Sequence, residues 1–382
     1  MVPTESPSPL ITDGSSEVAV LLWGVQTFFT STQAPQPSAV LQQPLDWGRL
    51  LQLARTHGVL PCLYRSLLTT GPDIVPQDAW TALRHAFHAN TQRNLLLAGT
   101  LLKLLRLLET HGIAALPYKG PVLAALAYGN VALRQFGDLD LLVRPQDADR
   151  AKALLWAQGY RWLNGRTPAL FPHLLKVYEL ISPDRHVLVE LHWALTSATF
   201  FFPLDPAHLW TRLETVSLLE TPVCSLAPED LLLILCVHGA KHHWSRLGWI
   251  CDVAAVLQVT PQLDWARCMA QASQLGGSRM LALGVRLAHD LLGAGLPTEV
   301  GRWIQAEAAV PWLAAQVWAR LFAAARPPDA WDHPAFYLGL RERVRDRLPC
   351  YLYLVYRTLL PAVLKNRVGR DQRLRSRRAV KT

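Results

Sequence analysis

The sequence predicts an α+β fold, with a small mixed β-sheet core flanked by N- and C-terminal helical regions. Three observations predict it. Two short apolar runs, Ile113–Tyr118 and Leu139–Val143, read as strands on either side of a helical Pro121–Tyr128. Lys176–Ser182 and His186–Trp193 flank the turn signal Pro183-Asp184-Arg185 and read as a hairpin. Long stretches before and after read as helices, as in Gln77–His111, where Leu95, Leu96, Leu102, Leu105 and Leu108 form a stripe.

Taken in order, residues 1–14 are rich in Pro, Ser and Thr and read as disordered. Glu17–Phe29 is an apolar helix, and Thr30–Pro44 is a loop interrupted by Pro35, Pro37 and Pro44. Asp46 caps the next helix, Trp47–His57, and Gly58 ends it; Val59–Leu68 follows as a helix. Gly112 stops the long Gln77–His111 helix. After the central strands, Pro145–Gln158 is a helix stopped by Gly159, Tyr160–Leu163 a strand and Asn164–Pro172 a loop. Pro228–Gln258 reads as helical throughout, and Trp265–Leu275, Arg279–Leu292, Glu299–Ala308 and Trp312–Ala325 follow. Tyr351–Leu364 is apolar apart from Arg357. No fixed-period repeat argues for a solenoid. The expected organisation is 1–14 disordered, 15–112 helical, 113–200 the mixed-sheet core, 201–364 helical and 365–382 a basic tail.

Charge and cysteines exclude several classes. Of the net +9, residues 365–382 carry +7, with eight Lys/Arg against one acid. The remaining chain holds about +2, which argues against a long nucleic-acid footprint. The six cysteines form no C-x-x-C pair, so a zinc ribbon or disulfide framework is not expected. No signal peptide and no apolar run of spanning length stand out, and the expected location is cytoplasmic, with a place peripheral to the membrane as the alternative.

The chemistry concentrates between Gly112 and Val143. Asp138 and Asp140, two apart in a strand, point to the same face, where two carboxylates can converge on one or two divalent cations. Lys119-Gly120 sits at a strand-to-helix turn. Pro121 suits the first helical turn, and the free backbone donors there suit a phosphate. Arg134 is a further cation that would grip a triphosphate. A phosphate cradle beside a carboxylate pair suggests phosphoryl or nucleotidyl transfer.

Lys119-Gly120, Tyr128, Arg134, the run D-L-D-L-L-V from Asp138, and a helix ending in Gly159-Tyr160 resemble the uncharacterised nucleotidyltransferase family of the polymerase-β-like superfamily. The resemblance implies a nucleotidyltransferase core with Mg²⁺, or Mn²⁺ in its place, held by Asp138, Asp140 and a third carboxylate, for which Glu190 is the candidate. Those three would be catalytic. It implies an NTP substrate, ATP first, whose nucleoside monophosphate moves to an acceptor that is a small molecule, peptide or protein. Pro121 stands where the wider superfamily often has a Ser, and Lys119 takes that contact instead. The gap from Gly120 to Asp138 also exceeds the usual spacing. His192 would bind a phosphate or orient Glu190. His238, His242 and Asp252, with Trp249, belong to a His-rich helical part of the resemblance and would line the nucleotide or acceptor pocket.

Three rival readings remain at the level of sequence. The chain is a non-catalytic nucleotide-binding or regulatory module; or a helical scaffold held weakly on an anionic membrane surface by its basic C-terminus; or a metal-dependent phosphohydrolase using the His238–His243 cluster, whose His238 and His242 share a helical face.

Overall fold

The computed structural model describes residues 15–30, 41, 44–70, 74–163, 176–196, 200, 202–204, 206–323 and 334–348. The expected disordered residues 1–14, most of the loop 30–44, the loop 164–172, the apolar segment 351–364 and the basic tail 365–382 lie outside them.

Among the described residues the first helices are α1 (Ser16–Thr30), α2 (Trp47–Thr56), α3 (Leu60–Thr70) and α4 (Gln77–Thr110). Asp46 caps α2 by accepting the Arg49 amide at 3.0 Å, as the sequence suggested. The 34 residues of α4 span roughly 51 Å at 1.5 Å per residue. Gly112, at φ 67°, ends the reversal after it, where a left-handed backbone is needed.

The sheet follows. Strand β1 (Ala115–Pro117) leads into helix α5 (Gly120–Tyr128), then β2 (Asp138–Val143), helix α6 (Ala148–Ala157), β3 (Arg161–Trp162), β4 (Val177–Ile181) and β5 (Leu188–His192). The strand order is β1-β2-β5-β4-β3. Among the described strands of this sheet only β2 and β5 run parallel, so the sheet is mixed and the fold is α+β. Alternation splits β2 between two cores. Leu139, Leu141 and Val143 pack with Leu97, Leu101 and Leu108 of α4. Leu142 faces the other way, into the core that the N- and C-terminal helices share. Asp138 and Asp140 share the face of Leu142, so both point toward the helices at the strand's open end.

Two elements depart from the sequence reading. A hairpin of β6 (Leu213–Leu218) and β7 (Thr221–Leu226) stands where no strand was expected. Its two-residue turn places Leu219 and Glu220 at φ 49° and 64°. Such turns favour Asn-Gly, so Leu-Glu gave no signal. The helix expected over 228–258 is two, α7 (Pro228–Lys241) and α8 (Leu247–Val259). The break carries neither Gly nor Pro. His243 and Trp244 take φ 54° and 52°, and the Trp244 amide donates to the Gly239 carbonyl at 2.8 Å. The fully buried Trp244 ring lies against the bare backbone of Gly239 and Gly284, where a Cβ would collide with it.

Helices α9 (Trp265–Leu275), α10 (Ser278–Leu292), α11 (Thr298–Ala306), α12 (Val310–Leu321) and α13 (Pro334–Gly339) complete the described chain. Val20, Leu21 and Val25 of α1 share one apolar core with Leu281, Val285 and Leu292 of α10. No helix among the described residues is long and apolar enough to cross a membrane.

Candidate active site

A cavity of about 700 Å³ lies between the sheet face that carries the acids and the ends of α7 and α8. That is the size of a small-molecule site. Asp138, Asp140, Glu190 and His192 line one side, and Lys119, Gly120 and Arg134 stand at its edge. His238, Lys241, His242, Arg246 and Trp249 line the opposite wall.

Sheet register brings the acids together. Asp140 pairs with Glu190 across the parallel β2–β5 step, and Glu190 pairs with Glu179 across the antiparallel β5–β4 step. Three carboxylates therefore form a row on one face, with Asp138 one pleat before Asp140. His192 Nε2 lies 3.2 Å from Glu190 Oε2 and 3.3 Å from Asp140 Oδ1. Lys119 Nζ donates to the same Asp140 oxygen at 3.2 Å.

The environment separates the two aspartates. Burial, then the neighbouring Asp140 and Glu190 carboxylates, push the Asp138 carboxyl up to about 6. Burial also opposes the charge on Asp140, but the Lys119 ammonium and the His192 ring outweigh it and hold that carboxyl below the usual range. Burial works against a charged His192; its hydrogen bonds to Asp140 and Glu190 prevail and raise it above its ordinary value. Burial, and then Glu190, raise the Glu179 carboxyl. Tyr118, buried against Asp140, is pushed far up by burial and by the Asp140, Glu190 and Asp138 charges.

The ligand atoms of Asp140, Glu190 and His192 lie within 4.8 Å of one another, the one metal-capable group of three or more found among the described residues. Asp138 stands on the same face but outside that group. Two carboxylates with water suit Mg²⁺, and the imidazole nitrogen extends the fit to Mn²⁺. The raised Asp138 carboxyl is a further acid short of positive charge. The residues present fit a divalent cation.

The Lys119-Gly120 turn, where the sequence predicts a phosphate cradle, is shaped by backbone. Lys119 is the N-cap of α5, and Gly120 takes φ 54°. A Cβ on Gly120 would sit 3.2 Å from the Asp138 carbonyl, so only glycine lets this turn lie against β2. The loop carrying Arg134 is held by Asn94, whose amide donates to the Val131 and Arg134 carbonyls at 2.6 and 2.7 Å.

Asp252 stands behind the cavity wall rather than on it. Its carboxylate accepts Arg134 Nε at 2.7 Å and Nη2 at 2.8 Å, and the Tyr128 hydroxyl at 2.8 Å. The remaining nitrogen, Arg134 Nη1, is buried with no hydrogen-bond partner among the described residues. Asp252 thus fixes the plane of a guanidinium that edges the cavity.

On the far wall the rings of His238 and His242 pack against Trp249 at 5.3 and 5.2 Å. Burial, then the Lys119 charge, keep His238 well below its ordinary value; burial, then Lys241, push His242 down to about 3. Both shifts favour the uncharged ring, and neither histidine belongs to the metal-capable group found among the described residues. Lys241 and Tyr118 were missed from the sequence. Lys241 stands at i+3 from His238, on one helical face, and that spacing was the available signal. Tyr118 read as core because it ends an apolar run.

No curated protein matches the chain. The crystal structure of an antigenic nucleotidyltransferase-like protein from Paracoccidioides brasiliensis is similar over 50% of this chain and 91% of its own, at 18% identity and a TM-score of 0.29. A family model described as an uncharacterised nucleotidyltransferase matches residues 43–293, from α2 through α10, and the chain belongs to that family.

Proposed function

We propose that the protein transfers a nucleoside monophosphate from an NTP to an acceptor hydroxyl in a reaction dependent on Mg²⁺ or Mn²⁺. The observation that carries the reading is the row of Asp140 and Glu190, beside Asp138, facing the Lys119-Gly120 turn at the start of α5. Asp138, Asp140 and Glu190 would hold the cation, with His192 beside them. A bound divalent cation supplies charge neutralisation for the triphosphate and its leaving pyrophosphate.

The chain's own residues do the rest. Lys119 and the first amides of α5 bind phosphate oxygens. Arg134 presents its free Nη1 to the same group, its plane held by Asp252 and Tyr128. Trp249, with the neutral His238 and His242, offers an aromatic wall for the base. The acceptor oxygen bonds to the α-phosphorus while the bond from that phosphorus to the β-bridging oxygen breaks. Pyrophosphate leaves with the electron pair, and the hydroxyl proton passes to solvent.

A second reading has one observation in its favour. Asp140 Oδ1 is already contacted by Lys119 and His192, so the carboxylate has internal counter-charge. That arrangement also suits a regulatory module that binds nucleotide without chemistry. Incubation with each α-³²P-labelled NTP, Mg²⁺ and a cell extract separates the two. Label entering a new product with wild type but not with Asp140→Asn or Glu190→Gln supports transfer. Tight NTP binding without any product supports the regulatory module.

A further inference from the structure

The cavity does not end at the carboxylates. A second depression of about 460 Å³ adjoins it. The two share Gln135, Phe136, Gly137 and Arg246. Residues 135–137 lead directly into Asp138, so the depression runs up to the reacting centre from the side of α2 and α4.

Its charge is one-sided. Arg55, Arg93 and Arg246 line it, and no Asp or Glu does. None of the three meets a carboxylate among the described residues: Arg93 Nη2 donates to the Gly137 carbonyl at 3.1 Å, and Arg246 lies over the Trp249 ring at 5.8 Å. Sequence explains the absence of counter-charge. Helices α2 and α3 carry no acid, and α4 carries none between Asp78 and Glu109. Three arginines thus line one hollow that has no acid in its lining, and an anion seated there would meet positive charge alone. Arginine matches the planar fork of a carboxylate or phosphate in two bonds at once.

The NTP triphosphate does not fill this role. Its cradle is the Lys119-Gly120 turn and Arg134, which line the main cavity and not the groove. The two spaces join along residues 135–137, next to Asp138 in the main cavity.

We propose that the groove seats the anionic group of the acceptor, a small hydroxyl compound carrying a phosphate or carboxylate. This rests on the transferase reading and names its second substrate class. The acceptor hydroxyl forms the new bond to the α-phosphorus, and pyrophosphate leaves as above. The anion stays on the arginines and holds the hydroxyl in place, converting an encounter into a positioned reaction.

Two variants load the groove with negative charge and leave the carboxylates and the phosphate turn in place: Arg55→Glu, and Ala89→Glu on the exposed face of α4. A metabolite extract is separated on an anion exchanger, and each fraction is offered to the enzyme with α-³²P-ATP. The expected result is acceptor activity in the retained fraction. In both variants the KM for that fraction rises at least tenfold while the KM for ATP stays unchanged. Loss of acceptor activity after phosphatase treatment assigns a phosphate, and resistance assigns a carboxylate. Acceptor activity confined to the unretained fraction overturns the proposal, as does an unchanged acceptor KM in both variants. If wild type labels nothing, the transferase reading fails by itself, and crystals soaked in tungstate judge the groove. An anomalous peak among Arg55, Arg93 and Arg246 that Ala89→Glu abolishes sustains the anion site; no peak there overturns it.

Discussion

Asp252→Ala tests how the site is supported from behind. Arg134 and Asp252 side chains are 10% and 3% exposed, so solvent screens the pair little. Removing the carboxylate strands two guanidinium nitrogens and the Tyr128 hydroxyl together, and Nη1 is already unpaired. Breaking a buried pair from one side costs about 3–5 kcal/mol, because the other charge is left without a partner. Replacing both partners by apolar residues is far milder. Asp252→Ala should therefore cost about 3–5 kcal/mol, while Arg134→Met with Asp252→Leu should cost about 0–2 kcal/mol. At about 2.1 cal/mol/K of unfolding entropy per residue, a chain of 382 residues loses roughly 1.2 °C per kcal/mol, so the single change lowers Tm by about 4–6 °C. Urea titration of the wild type, Asp252→Leu, Arg134→Met and the double variant closes the cycle, with Asp252→Ala measured beside it. On the transferase reading, the double variant folds yet binds NTP more weakly, since Nη1 is gone. A loss below about 1 kcal/mol for Asp252→Ala, or equal losses in single and double variants, would refute the idea that the pair is a buried, mutually dependent unit.

Gly120→Ala forces a Cβ to 3.2 Å from the Asp138 carbonyl at φ 54°, at a cost of about 1–2 kcal/mol; calorimetric NTP titration should show weaker binding, while wild-type affinity would contradict the cradle. Trp244→Ala empties the seat against Gly239 and Gly284 and should cost about 3–5 kcal/mol by denaturant melts. His57 accepts the Leu247 amide on Nδ1 at 3.3 Å, and burial, then the Arg246 charge, lower it to about 4. Its folded value is depressed below the unfolded one, so its stability is intact above pH ~6.5 and falls by about 3 kcal/mol as pH drops to 4; urea midpoints from pH 7.5 to 4 should show a fall that His57→Gln flattens. Lys119→Ala frees Asp140, so Mn²⁺ titrated without nucleotide should bind more tightly than to wild type; unchanged affinity would show that the ammonium does not guard the carboxylate.

Much of this was legible because local rules and tertiary structure agreed. The D-L-D alternation required a strand, and the strand formed with both aspartates on one face. Gly112 and Asp46 marked helix ends by chemistry that needs no tertiary partner. The failures share a cause. Leu219-Glu220 and His243-Trp244 hold left-handed backbones that their own residues disfavour, so packing imposes them. At 243–244 the cause is visible: Trp244 fills a seat made by Gly239 in the preceding helix and by Gly284, far along the chain. Asp252 illustrates a different limit. Its place in a motif suggested a pocket residue, yet an acid earns such a place equally by holding an arginine 118 positions away. Nor could spacing reveal the hollow between α2, α4 and Arg246, because it depends on how three separated segments pack.

The internal counter-charge at Asp140 ties these observations together. Lys119 Nζ lies on Asp140 Oδ1 at 3.2 Å, and His192 Nε2 lies 3.3 Å from the same atom. On the transferase reading, one ammonium cannot neutralise that carboxylate and grip a phosphate at full strength. When Lys119 turns to the nucleotide, Asp140 loses its main partner in a cleft where Asp138 and Glu190 already crowd it. A divalent cation entering with the triphosphate restores the balance. Nucleotide and cation then bind as a coupled pair, and each strengthens the other by the same factor. On that reading, a site so arranged keeps Asp140 paired when empty and frees it only when the triphosphate arrives.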